Sequence, residues 1–369
     1  MTARVHRRSA WLVVLAACGH RPPKAPPPPR DPDDRVAIIA AEIAGNSARL
    51  VAIDEHGDRQ FVAVIEAGPL VLDTNPAVSP DGRWVVFESN RGMPPDRANR
   101  NLWIAKVGVE QAPARLTTGD WYDVHPCWTP DGNAIVFASS REGGDLDLWR
   151  LPMASGRAAA PAVQITHDPR QEVTPTVARD GTIYYALAER DRQTTKPISM
   201  IRERTPDGRD TQIIGGASPA LSPDESQLAF STQAPPRPPD PSGIVIEERP
   251  DSELWILRRA DRSVRRVVEL PPSQEGGPVW SRDGRFLFAT SALSADQGAV
   301  FSSVIHVDLS EQPPRARMLE DRAGGIKRLT PAIVAATLDA AALRGNPEYL
   351  PELARIMTEA IEKARGQEP

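Results

Sequence analysis

Cysteine is nearly missing from this chain, with two in 369 residues, at Cys18 and Cys127. No disulfide framework can hold the fold, which must rest on buried apolar surface. Positive charge is not in excess either; the formal net charge is −5, which gives no support to nucleic-acid binding through a basic surface. Histidine is scarce. His125 is the one histidine at a repeat position described below, so a zinc site of several imidazoles is not supported. No G-x-S-x-G elbow, H-E-x-x-H helix or Gly-rich phosphate loop occurs, and these are the motifs that would announce a nucleophile, a catalytic zinc or a nucleotide. The sequence therefore leads to the expectation of no enzymatic activity, no metal and no cofactor. An apolar run long enough to cross a bilayer is also lacking, since the one near the start covers only Ala10–Ala17.

What is present begins with that run. Arg4, Arg7 and Arg8 precede it, and it ends in Leu15-Ala16-Ala17-Cys18, the anatomy of a secretory signal. The last four residues resemble a bacterial lipobox. That resemblance implies cleavage before Cys18, diacylglyceryl attachment to its thiol, and acylation of the new amino terminus, with Gly19 favouring the outer membrane. Two or more acyl chains give stable anchoring. Residues 1–17 are read as the signal peptide and 18–34 as the lipidated cysteine with a tether. Its run of prolines from Arg21 to Asp34 favours an extended, semi-rigid spacer. Cys127 is left as a lone thiol.

The body of the chain repeats itself. "SPDG", "TPDG", "ARDG", "SPDE" and "SRDG" each sit between apolar runs, and their aspartates, Asp81, Asp131, Asp180, Asp224 and Asp283, follow one another at 50, 49, 44 and 59 residues. A period of that size marks a repeat architecture. Each unit reads as a short extended run, an Asp-Gly turn, a second strand rich in β-branched and aromatic residues, a variable loop, and a third strand such as "NLWIAKV" or "DLWRLPM". A fourth strand closes the unit. Four antiparallel strands make one propeller blade. Proline stands at Pro76, Pro126, Pro175, Pro219 and Pro278, where a strand entrance needs no ladder donor.

The pattern P-x-W-S/T-P-D-G … D/N-L-W resembles the TolB-type β-propeller repeat, over roughly residues 36–319. Five motifs, together with a leading segment read as strands Val36–Glu42, Arg49–Asp54 and Phe61–Ile65, predict an all-β propeller of six blades over residues 35–329. A ring should leave no open edge, so the first blade's missing inner strand is sought in Gly325–Leu329. Residues 330–369 carry helix signals, namely Thr330-Pro331, an Ala-rich run stopped by Gly345, a second start at Asn346-Pro347, and an apolar stripe after Pro351. They are expected to form a C-terminal helical extension.

Candidate functional residues follow from blade geometry. The Asp-Gly turns (Asp81, Gly82, Asp131, Gly132, Asp180, Gly181, Asp224, Asp283, Gly284) gather on one face and are read as structural. The opposite face receives the links between blades and the loops Arg91–Arg100 and Thr232–Asp251. Three positions before four of the five motif prolines stands an acidic residue, Asp73, Asp123, Glu172 or Glu275, with Gly216 at the fifth, and the adjacent positions are polar, Asn75 and His125 among them. Rotation about the axis would gather these at the mouth of the channel. Two interpretations compete there: a mouth for a cationic group, metal or basic partner segment, and polar capping of the blade junctions. The resemblance to TolB implies a non-catalytic interaction module that docks an envelope protein such as a peptidoglycan-associated lipoprotein. It implies a periplasmic or surface-facing location, lipid-anchored to the membrane, and no nucleic acid. The alternative is a metal-dependent oligosaccharide lyase or glycan-binding propeller that uses the acidic mouth.

Overall fold

The computed structural model describes residues 36–44, 47–54, 59–61, 70–94, 99–107, 111–190, 197–233, 252–268, 274–294, 300–319 and 345–346. Signal, tether, the Gly325–Leu329 candidate strand and most of the two loops lie outside them. Every element described is a β-strand. β1 (Val36–Ala44), β2 (Ser47–Asp54) and β3 (Arg59–Phe61) form a three-stranded antiparallel sheet. Blade 1 is β4 (Asp73–Val78), β5 (Trp84–Ser89), β6 (Asn101–Lys106) and β7 (Ala114–Arg115). Blade 2 comprises β8 (Asp123–Trp128), β9 (Ala134–Ser139) and β10 (Asp147–Ala154), whose outer edge is shared by β11 (Arg157–Ala158) and β12 (Val163–Gln164). Blade 3 has β13 (Gln171–Val177), β14 (Ile183–Arg190), β15 (Pro197–Arg204) and β16 (Asp210–Gly215). Blade 4 has β17 (Ala217–Leu221), β18 (Gln227–Gln233), β19 (Ser252–Arg258) and β20 (Val264–Arg266). Blade 5 has β21 (Gln274–Trp280), β22 (Phe286–Ser294), β23 (Val300–Asp308) and β24 (Arg315–Leu319), with β25 (Gly345–Asn346) on its outer edge.

The fold is thus a β-propeller of four-stranded antiparallel blades, and two expectations need correction. Among the described residues five four-stranded blades are formed, not six. Their inner strands are β4, β8, β13, β17 and β21, and the turn of blade 5 comes back to the turn of blade 1. Arg282 at the turn of blade 5 donates to the carbonyl of Pro80 at the turn of blade 1 (3.4 Å), across 202 residues of chain. The leading sheet packs on blade 1, with Ile39, Ala41 and Leu50 against Val85, Phe87 and Ala105, and the Ala48 amide donates to Val71 O at 2.9 Å. Blade 1 holds the link into blade 2 in the same way, through Asp123 N–H to Arg100 O at 2.8 Å. No fourth strand pairs with β1–β3 among the described residues. The second correction concerns the C-terminus. No helix occurs among the described residues, and Gly345 and Asn346, read as a helix stop and a fresh start, instead pair with Leu319 and Met318. β24 presents an open edge there, and a short extended segment satisfies it. The remaining helix signals fall outside the described residues.

The core lies between blades. Val86, Leu102 and Ile104 of blade 1 pack on Trp128, Ile135, Phe137, Trp149 and Leu151 of blade 2, and comparable layers join blades 2 and 3, 3 and 4, and 4 and 5. Strand alternation explains this arrangement, because each sheet buries both faces against its neighbours. The motif tryptophans also clasp the preceding blade. Trp128 Nε1 donates to Ala77 O at 3.1 Å and Trp280 Nε1 to Ala220 O at 2.9 Å.

The turns repeat one hydrogen-bond design. Asp81 accepts from the Ser79 hydroxyl (2.6 Å) and the Arg83 amide (3.0 Å), while Ser79 Oγ accepts from Trp84 N–H (2.9 Å). Thr129/Asp131, Ser222/Asp224 and Ser281/Asp283 do the same. The position after each aspartate is left-handed, with φ 73° at Gly82 and 70° at Gly132, a region where glycine carries no steric cost.

Candidate functional site at the blade entrances

Inner strands β4, β8, β13, β17 and β21 share a defect. Their ladders skip two residues, between Thr74 and Ala77, Val124 and Cys127, Val173 and Thr176, Ala217 and Ala220, and Gly276 and Val279. Each skip is a bulge, two residues facing one. The second bulge residue is the motif proline, which has no N–H to leave unpaired. The first is left-handed every time, with φ of 48° at Asn75, 52° at His125, 50° at Thr174, 51° at Ser218 and 58° at Gly277. Glycine is the ordinary occupant of such a position. Four non-glycine residues held there cost of order 1 kcal/mol each or more, strain of a kind that gathers at working sites. The polar positions read from sequence, Asn75 and His125, are therefore members of one geometric series around the axis.

At the junction of blades 1 and 2 the series is tied to a buried carboxylate. Glu88 Oε1 accepts from the His125 amide at 2.7 Å and from the Asn75 side-chain amide. Its Oε2 accepts from Arg100 Nη1 at 3.1 Å, and Arg100 also donates to Thr74 Oγ1 at 3.0 Å. Burial keeps the His125 imidazole below its usual range, against the pull of Glu88 and with the help of Arg100, so it is neutral at pH 7. Asn75 Oδ1, His125 Nδ1 and Thr174 Oγ1 are buried without a partner. Three adjacent blades thus hold unsatisfied polar atoms at the same bulge position, and each such atom costs free energy until something bonds it.

The acidic positions fare differently. Asp73 is 1% exposed, Asp123 0% and Glu172 1%, so they do not present free carboxylates to a mouth. Asp73 is paired with Arg91 (2.5 Å) and Asp123 with Arg141 (2.8 Å). Both are ties within one blade, from the inner strand to the loop after the second strand. Glu172 donates its amide to Leu146 O of blade 2 at 2.7 Å, but no guanidinium of the described residues meets its carboxyl. Burial pushes that group up to about 7, with Asp147 and Asp168 adding repulsion and the hydroxyls of Thr166 and Tyr185 opposing the rise. Glu275 pairs by its backbone with Ser291. A metal does not fit this donor set, because Asp73 and Asp123 are committed to arginines. Among the described residues no three His, Cys, Asp or Glu side chains stand together as ligands. Cys127 is a free thiol, and burial drives it up to about 11, which keeps it unreactive at neutral pH.

Glu88 and Arg100 were not singled out from the sequence. Neither sits at a motif position, and the bond that ties Glu88 to the series, from the His125 amide, comes from the next blade.

No family model matches the chain. One curated protein, the "Uncharacterized peptidase YuxL" of Bacillus subtilis (strain 168), is 27% identical over 101 residues, 27% of this chain and 15% of that protein's length. Most of that protein has no counterpart in the match. Among solved structures, TolB from Agrobacterium tumefaciens is 16% identical with a TM-score of 0.50, covering 77% of this chain and 88% of that one. A puromycin-hydrolysing peptidase of Mycobacterium tuberculosis is 15% identical with a TM-score of 0.48, over 80% and 45%. The expectation of no enzymatic activity is corrected by the curated match, since a 101-residue stretch of the sequence is similar to a protein named as a peptidase. Missing motifs were read as missing chemistry, but a propeller repeat is equally at home in such proteins. In fold, the chain is a TolB-like β-propeller.

Proposed function

We propose that this chain is a lipid-anchored propeller of the bacterial cell envelope that serves as a binding scaffold and engages an envelope protein with the bulge row of blades 1–3. The observation that carries this reading is the series Asn75, His125 and Thr174, strained in backbone and unsatisfied in side chain at equivalent places. Bulges re-aim side chains and recur beside working sites. The opposite face offers less, because its Asp-Gly turns already bond within themselves. The lipobox-like Leu15–Cys18 and the TolB-like fold support the envelope location. The lyase alternative gains nothing from the donor set.

Photocrosslinking in intact cells tests the face. A photoreactive residue at Thr174 or His125 is expected to capture a discrete envelope partner, and one at Arg83, on the turn face, is not. Capture from Arg83 alone would overturn the assignment. In detergent-phase partitioning, Cys18→Ala is expected to leave the detergent phase; a variant that stays would remove the lipid anchor from the account.

A further inference from the structure

Apart from the bulge row, blades 1 and 2 border an open cleft of about 400 Å³, lined by Arg141, Leu116, Thr118, Leu151, Pro161 and Ala162 among others. Arg141 is the charged residue of that lining. Its guanidinium lies against three aromatic rings at once, 4.6 Å from the centre of Trp149, 5.3 Å from Phe137 and 5.5 Å from Trp121. Gly119 makes room for this box, because a Cβ there would fall 2.2 Å from the Trp121 ring. Arg141 Nε donates to Ser139 Oγ at 2.9 Å and Nη2 to Asp123 Oδ1 at 2.8 Å. These bonds fix the guanidinium but use only part of it, and Nη1 meets no acceptor among the described residues.

The surroundings are rich in donors. The indole N–H groups of Trp121 and Trp149 are both buried without an acceptor. An unpaired acceptor, Asp123 Oδ2, lies nearby as well, and like the two indoles it stands behind Arg141 and not in the cleft lining. Asp123 already balances the charge of Arg141, which suits a monoanion better than a dianion. Leu116, Leu151, Pro161 and Ala162 supply the apolar part of the wall, beside Thr117 and Thr118. A planar guanidinium held in place by stacking and two hydrogen bonds pays little ordering entropy on meeting a carboxylate.

We propose that this cleft is a binding site for a carboxylate attached to a compact apolar group. The ligand is either a free short-chain acid or the C-terminal carboxylate of a polypeptide ending in an aliphatic residue, since both present the same chemistry.

The full chain, labelled with ¹⁵N, gives one indole signal per tryptophan, and Trp121 and Trp149 report on the cleft through the Arg141 guanidinium that lies against their rings. Titration with isovalerate and with N-acetyl-leucine is paired with the neutral amides isovaleramide and N-acetyl-leucinamide. We expect at least one acid to shift the two indole signals saturably and neither amide to do so. The acid that binds identifies the source. Ala160→Phe fills the cleft from an exposed lining position while leaving Arg141 untouched, and is expected to weaken binding at least tenfold. Arg141→Lys keeps a cation beside Asp123 but loses the fork, with the same expectation. Amides that bind as well as acids, the absence of any saturable shift, or wild-type affinity in Ala160→Phe would each overturn the proposal.

Discussion

Replacing Glu172 by Gln should make the protein much more stable at pH 8 and only slightly more stable, by about 1 kcal/mol or less, at pH 5. Glu172 is buried at the junction of blades 2 and 3, and its carboxyl is raised from 4.5 to about 7. The folded state therefore holds a proton that the unfolded state releases near pH 4.5. The penalty is absent below that pH, grows as pH rises towards 7, and is constant above it. A shift of this size corresponds to about 3 kcal/mol, a substantial share of the margin by which a domain is folded. Glutamine has the shape of the protonated acid and no charge to desolvate. Urea unfolding of the full chain, followed by tryptophan fluorescence at pH 5, 6, 7 and 8, should show a gain for Glu172→Gln that opens through this window, up to about 3 kcal/mol. An effect of equal size at pH 5 and pH 8, or a loss that deepens with pH, would refute the reasoning.

Three further substitutions test the ties between and within blades. Gly156, at φ 74°, faces Trp84 of blade 1 so closely that a Cβ would lie 2.4 Å from the ring. Gly156→Ala should cost about 1–3 kcal/mol by denaturant unfolding. Trp128→Phe keeps the ring packing but removes the hydrogen bond to Ala77 O, with an expected loss of about 1 kcal/mol and an unchanged circular dichroism spectrum. Asp81→Ala should weaken the blade 1 turn. Because the Ser79 hydroxyl and the Arg83 amide hold its carboxyl down at about 2, the wild-type advantage is present above pH 4 and fades as pH falls towards 2; acid titration of both proteins checks this.

The repeat was legible because its signals are local. A turn that needs Asp, a small hydroxyl two residues earlier and a left-handed position writes itself into five consecutive residues, as at Ser79–Arg83. The bulges were half legible. Their prolines stood out, but nothing in Asn75, His125, Thr174 or Ser218 announces a positive φ. The acidic row was found but misplaced, because the deciding partner lies elsewhere in the chain. Asp73 with Arg91 and Asp123 with Arg141 share a separation of 18 residues, and that recurring arginine was the available signal. Glu88 gave none, since its bond from the His125 amide crosses from blade 1 to blade 2, and the Arg141 box gave none, since its rings come from separate segments of blade 2. Counting motifs could not settle the number of blades, which depends on whether an inner strand completes the leading sheet.

Ring closure carries the rest, because only a closed circle of inner strands brings equivalent bulges together. Double electron–electron resonance between spin labels at positions 80 and 282 measures it most directly. The account predicts one short distance, set by a single sheet spacing of about 10 Å plus the label arms. Blades strung in a line would separate the labels by four such spacings, about 40 Å, and that result would contradict it.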